Sequence, residues 1–97
     1  MIEINIHGIG GQGVVVAAKL LAEAAAGSGY YSQSFASYGT EKRGGKVESY
    51  VRVSEDEIHI RSKVYQADYL ILMDRDFVKD PKVLSTIKEG GTLRCPF

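Results

Sequence analysis

"HGIGGQG", residues 7–13, places four glycines in seven positions, directly after the alternating run Ile2, Ile4, Ile6 and directly before a run of valines and alanines. Inside a regular element glycine costs roughly 0.5–1 kcal/mol relative to alanine, so such a cluster belongs where backbone turns sharply or something comes very close to it. Two readings follow: a strand-to-helix turn that uses glycine for geometry alone, and a cradle for phosphate. The stretch matches G-x-G-x-x-G as Gly8, Gly10 and Gly13, after a strand pattern and at the start of a helical one. The first turn of such a helix has unpartnered N–H groups and the positive end of the helix dipole. Gly10, Gly11 and Gly13 remove the side chains that would block an anion there.

Working outward, residues 1–7 read as a strand and 12–26 as an alanine- and leucine-rich helix stopped by Gly27 and Gly29. Gln12, Lys19 and Glu23 fall on one side of that helix, leaving valine, alanine and leucine for a sheet. Residues 30–35 form a second strand, and strand, glycine turn, helix, strand is a βαβ unit with parallel strands. "KVESYVRV" (46–53), the acidic turn "SEDE" and "IHIRS" (58–62) predict a β-hairpin. "ADYLILMD" (67–74) is a strongly apolar strand. "PKVLSTIKEGG" (81–91) predicts a helix with proline near its start and glycine past its end, followed by a last strand-like piece, "TLRCPF" (92–97). The fold class expected is α/β, a Rossmann-like, partly parallel sheet with a β-hairpin insertion.

A chain of 97 residues is one domain at most, with a small core. It has no apolar run of about 18 or more residues and no signal peptide pattern, so cytoplasm is the expected location. Twelve basic side chains balance twelve acidic ones, which argues against broad attraction to nucleic acid or an anionic membrane; any anion must be held locally. The single cysteine, Cys95, excludes an internal disulfide and cannot by itself supply the ligands of an iron–sulfur cluster.

A dinucleotide site needs an acid about 20 residues beyond the glycine turn to hold the ribose. Here that region reads "YYSQSFASYG" (30–39) and contains none, offering Ser32, Gln33, Ser34, Ser37 and Tyr38 instead. The loop that follows supplies Lys42, Arg43 and Lys46 as cationic donors, with Gly39, Gly44 and Gly45 permitting close backbone approach, at the same carboxyl edge as the first loop. Glu41, Lys42 and Arg43 also read as a solvated charge run. His7 and His59 lack metal-ligand spacing and are assigned structural roles, so no metal is expected. Asp74 and Asp76 are expected to cap the segment after their strand, and Cys95 to be packed rather than reactive.

The two loops together resemble the gamma subunit, or equivalent internal domain, of the thiamine diphosphate-dependent 2-oxoacid:ferredoxin oxidoreductases acting on pyruvate, 2-oxoglutarate, branched-chain 2-oxoacids or indolepyruvate. The matching stretches are "HGIGGQGVVVAAKLLAEAA" (7–25), "YSQSFASYGTEKRGGKVESYVRVS" (31–54) and "ADYLILMD" (67–74). The resemblance implies a subunit, inactive alone, of a cytoplasmic enzyme that oxidatively decarboxylates a 2-oxoacid to an acyl-coenzyme A and passes electrons to ferredoxin. Thiamine diphosphate and iron–sulfur (4Fe-4S) clusters would sit on partner subunits. This chain would help bind coenzyme A, through Gly8, Gly10, Gly11, Gln12, Gly13, Ser34, Tyr38, Lys42, Arg43 and Gly44. Family members run to nearly twice this length, so residues 1–97 are expected to be a single, partial gamma-type domain whose uncovered faces call for a second copy or a partner chain. Thr40 stands where many members carry proline. The competing reading is a free-standing nucleotide- or phosphate-binding module without those partners.

Overall fold

Ile2, Ile4 and Ile6 alternate with Glu3, Asn5 and His7, and in an extended chain such alternation gives one apolar and one polar face. A computed structural model, describing residues 1–9, 13–38, 46–62, 64 and 66–95, builds the molecule around that strand. The strands are β1 (Ile2–Ile9), β2 (Tyr31–Tyr38), β3 (Lys46–Ser54), β4 (Ala67–Leu72) and β5 (Ile87–Arg94). Helix α1 (Val14–Gly27) joins β1 to β2, and a 3-10 turn (Arg75–Lys79) followed by the one-turn helix α2 (Pro81–Leu84) joins β4 to β5. The sheet order is β2-β3-β1-β4-β5. The fold is α/β with a partly parallel sheet, as expected.

β1 pairs in parallel with β4, and β4 with β5, whereas β3 lies antiparallel to both β1 and β2. β1 and β2 therefore run in the same direction, as a βαβ unit requires, but β3 is interposed between them. The hairpin also differs from the sequence-based expectation. β3 pairs with β2 from Tyr31↔Ser54 to Tyr38↔Val47, and residues 58–62 are not a strand. The physical reason is burial on both faces: Val47, Ser49 and Val51 are buried on one, Tyr50 and Arg52 on the other, and only a central position supplies neighbours for both.

Ile6, Val47 and Val51 pack against Val14, Ala18 and Ala22 of α1. As expected, the helix turns Val14, Ala18 and Ala22 to the sheet and Lys19 and Glu23 outward, but contrary to expectation its leucines do not reach the sheet, and Leu20 is 60% and Val16 59% exposed. Alanine at the contact brings the helix axis close to β3, and bulkier side chains are consequently left outside. On the other face Leu70 and Leu72 meet Phe77 and Val83. Asp74 caps the 3-10 turn by accepting from the Asp76 N–H, as anticipated. The helix expected over 81–91 is only one turn long, because the Ser85 and Thr86 hydroxyls donate to the Lys82 and Val83 carbonyls and Ile87 already begins β5. Glycine past its end instead serves the strand: the step from Ala67 to Tyr69 on β4 is matched by Ile87 to Thr92 on β5, an irregularity that holds Gly90 at φ +81°. Cys95 packs against the Leu70 cluster.

Arg52, 1% exposed, ties three strands together. Its Nε donates to Glu3 Oε2 on β1 (2.9 Å), its Nη1 to Gln33 Oε1 on β2 (3.0 Å), and the guanidinium lies 5.7 Å from the Phe35 ring centroid.

Two leucines distinguish this packing from the one periodicity suggests. Leu70→Ala, at a site with no exposure, is expected to cost about 2–5 kcal/mol. Leu20→Ala is expected to stay within about 0.5 kcal/mol, since surface changes have small effects and alanine is a strong helix former. Urea denaturation of the two variants measures both.

Candidate functional site

β1 and β4 share the register Ile4↔Tyr69 to His7↔Leu72, and the Met73 N–H extends the ladder by donating to the His7 carbonyl at 2.8 Å. The two chains then part. From β1 the backbone goes to α1, on the Ile6 face; from β4 it goes to the 3-10 turn and α2, on the Leu70 and Leu72 face. Adjacent parallel strands whose connections leave on opposite sides open a crevice at their carboxyl ends, the usual ligand position in open α/β sheets.

α1 begins at this crevice. Gly13, at φ +81° and ψ 19°, is its N-cap; no side-chain cap bond is made and no acid stands in the first turn among the described residues. Ala17 N–H donates to Gly13 O at 2.8 Å, the first bond of the helix. The preceding N–H groups thus lack intrahelical carbonyls to bond, as at any helix start. A Cβ on Gly13 would meet nothing within 4 Å, so the space beside it is open. The glycine is required by the left-handed backbone rather than by crowding.

Of the residues expected at the ligand, Gly10, Gly11, Gln12, Lys42, Arg43 and Gly44 lie outside the described residues. Gly8 is the penultimate residue of β1 and pairs with Val47; Tyr38 closes β2 and pairs with the same Val47. Gly8, Val47 and Tyr38 therefore form one row across three strands, bringing the ends of β1 and β2 to one edge about 10 Å apart. Ser34 lies lower in β2, opposite Val51, and lines a cleft with Val15, Ala18 and Lys19 of α1.

The opposite face of the same edge holds polar groups that sequence reading did not assemble. His7 is 2% exposed, with Nδ1 3.8 Å from Glu48 Oε1 and no partner for Nε2. Glu48 also accepts from the Tyr50 hydroxyl, and Lys46 Nζ lies 3.8 Å from Asp80 Oδ2 and 5.8 Å from the Phe77 ring centroid. The detectable signal was complementarity between two alternating strands: the register sets Glu3 against Arg52 and His7 against Glu48. Burial holds the His7 imidazole below its ordinary pKa, although the Glu48 and Asp80 carboxylates pull it upward. His59 is exposed and 3.6 Å from Glu57. Among the described residues no three side chains of metal-ligating type converge.

The His7 shift fixes a pH dependence. As pH falls below about 6.5, histidines of the unfolded chain take up protons while native His7 resists, so the unfolded state binds more protons and stability declines. Thermal melts between pH 8 and 5 are expected to show this loss, with a smaller slope in His7→Gln.

Comparison with known proteins agrees with this architecture. The family described as pyruvate ferredoxin/flavodoxin oxidoreductase matches residues 3–95. Pyruvate synthase subunit PorC of Methanothermobacter marburgensis is 44% identical over 93 residues, covering 96% of this chain and 52% of its own. The pyruvate/ketoisovalerate oxidoreductases common subunit gamma of Thermococcus litoralis is 42% identical over 91 residues, 94% of this chain and 49% of its own. Among solved structures, pyruvate oxidoreductase subunit PORC of Thermotoga maritima superposes with a TM-score of 0.81 at 28% identity, over 99% of this chain and 49% of that one. The chain thus spans about half the length of these relatives. The match of the family model over nearly the whole chain, with relatives more than 40% identical, places it in the pyruvate ferredoxin/flavodoxin oxidoreductase family.

Proposed function

We propose that this chain is a noncatalytic gamma-type component of a thiamine diphosphate-dependent 2-oxoacid:ferredoxin oxidoreductase, and that its glycine turn faces the pyrophosphate of coenzyme A. The observation that carries the reading is the start of α1: a helix N-terminus without side-chain cap or first-turn acid, opening on the crevice where the β1 and β4 connections diverge. An uncapped positive dipole end with exposed N–H groups suits a phosphate. The fold recurs in 2-oxoglutarate:ferredoxin oxidoreductase from Magnetococcus marinus, a structure with 2-oxoglutarate, coenzyme A and succinyl-CoA bound, which matches 99% of this chain and 16% of its own with a TM-score of 0.81 at 21% identity.

Gly8, Gly10, Gly11, Gln12 and Gly13 form the cradle in this reading. Tyr38, Lys42, Arg43 and Gly44 are the other ligand contacts in this reading, and Ser34 lines the flank of α1. The decarboxylation and electron-transfer chemistry belongs to thiamine diphosphate and iron–sulfur clusters on partner subunits, since one cysteine cannot hold a cluster. Residues 1–97 act as a single, partial domain in the cytoplasm, and exposed Val16, Leu20 and Tyr69 are among the surfaces that partner subunits or a second copy cover. No described helix is long and apolar enough to cross a membrane.

Two measurements test this function. The purified chain alone is expected to oxidise no 2-oxoacid, with activity appearing only on co-expression with thiamine-binding and ferredoxin-like subunits; turnover by the isolated chain would overturn the assignment. In that assembled enzyme, calorimetric titration of coenzyme A separates charge from shape. Asparagine and aspartate both tolerate the left-handed backbone at position 13, but Gly13→Asp adds a carboxylate at the proposed phosphate position, so it should lose far more affinity than Gly13→Asn. Arg43→Ala should lose about 1.5–3 kcal/mol, less as salt rises. Equal affinity in all three variants would reduce both loops to turns.

A further inference from the structure

On the α2 side of the sheet, away from the glycine turn, a cavity of about 170 Å³ opens at the carboxyl end of β1, lined among others by His7, Lys46, Glu48, Phe77, Asp80 and Lys82. A single water needs only about 10–15 Å³, so there is room for a group of several heavy atoms. Its polar groups are unevenly matched. Glu48 accepts from the Tyr50 hydroxyl and faces His7 Nδ1; Asp80 accepts from the Lys82 backbone N–H and faces Lys46. Both carboxylates are thus already met by donors of this chain. What stays unmatched is His7 Nε2, buried and without a partner, and the Lys82 ammonium, which makes no ion pair with the described residues. Buried polar atoms without partners are uncommon in native proteins and mark places where something else binds.

We propose that this cavity is a binding subsite for a small oxyanion, a carboxylate or phosphate group, held by His7 Nε2 and the ammonium groups of Lys46 and Lys82. Glu48 holds the imidazole from its Nδ1 side, so protonation at Nε2 would turn His7 into a donor bridging Glu48 and the ligand. Phe77 and Val83 give the cavity an apolar floor. Among the described residues, the titratable groups lining this cavity besides His7 are Lys46 and Glu48 from β3, Asp80 just before α2 and Lys82 within it. The cavity lies on the opposite face of the sheet from α1, and His7 and Lys82 take no part in the coenzyme A reading.

Because an anion favours protonated His7, binding and protonation are linked, and a ligand that binds the protonated form tenfold more tightly raises the pKa by about one unit at saturation. The test is an NMR titration of both imidazoles in the full chain, in inorganic phosphate, in acetate and in chloride at matched ionic strength. His59, exposed beside Glu57, is the internal reference. A rise in the His7 pKa of about one unit in phosphate or acetate, absent at His59 and abolished in Lys46→Met/Lys82→Met, supports the proposal, and the anion that acts names the source. The same His7 pKa in all three salts overturns it. A rise shared by His59 reflects screening, and a rise surviving in the double variant marks an adventitious ion only; either result also overturns it.

Discussion

The parallel pairing of β1 with β4 is the constraint on which the rest of the structure depends. It runs from Ile4↔Tyr69 to His7↔Leu72 and is extended by the hydrogen bond from Met73 N–H to the His7 carbonyl. Beyond that bond, α1 takes one face and the α2 segment takes the other. One backbone contact therefore fixes the helix start, the apolar cores on both faces and the crevice between them. Gly13 serves the same junction: only a residue that accepts φ near +81° lets the chain leave β1 and enter a helix without a side-chain cap.

β3 gives the sheet its second property, a polar interior on the face away from α1. Arg52, Tyr50 and Asn5 are each about 1% exposed, and Arg52 reaches Glu3 and Gln33 on the two neighbouring strands. A buried guanidinium with carboxylate, amide and aromatic partners specifies register, because a shift by one residue would bury the charge among valines. Asp68 plays a comparable part at the other end of β1. Although burial alone would raise its pKa, hydrogen bonds from the Lys88 side chain and the Glu3 N–H hold its carboxyl below the usual range, linking β1, β4 and β5.

Much of this was legible in the sequence. The glycine cluster located the strand-to-helix junction, the alternation of Ile2, Ile4 and Ile6 located the first strand, and the apolar run at 67–74 located β4. The capping role of Asp74 and the packing of Cys95 also followed from local rules. What stayed hidden was tertiary. The interposition of β3 depends on which faces of Tyr50 and Arg52 find partners, and alternation alone cannot tell a central strand from one arm of a hairpin. The inward turn of Ala18 and Ala22, with Leu20 outside, depends on how closely α1 approaches β3, which hydrophobicity does not report. His7 looked like a lone structural histidine because Glu48 and Asp80 are distant in sequence and are brought to it only by the sheet and the α2 turn.

In the function proposed, the crevice above β1, at the start of α1, receives a phosphate-bearing ligand. Hydrogen–deuterium exchange of the assembled enzyme with and without coenzyme A tests it most directly, since it locates contact without altering a residue. Slowed exchange confined to residues 10–17, which include the first turn of α1, and to residues 39–45, with β5 unchanged, is the predicted result. Protection elsewhere on this chain, with the first turn of α1 exchanging at the same rate in both states, would contradict it.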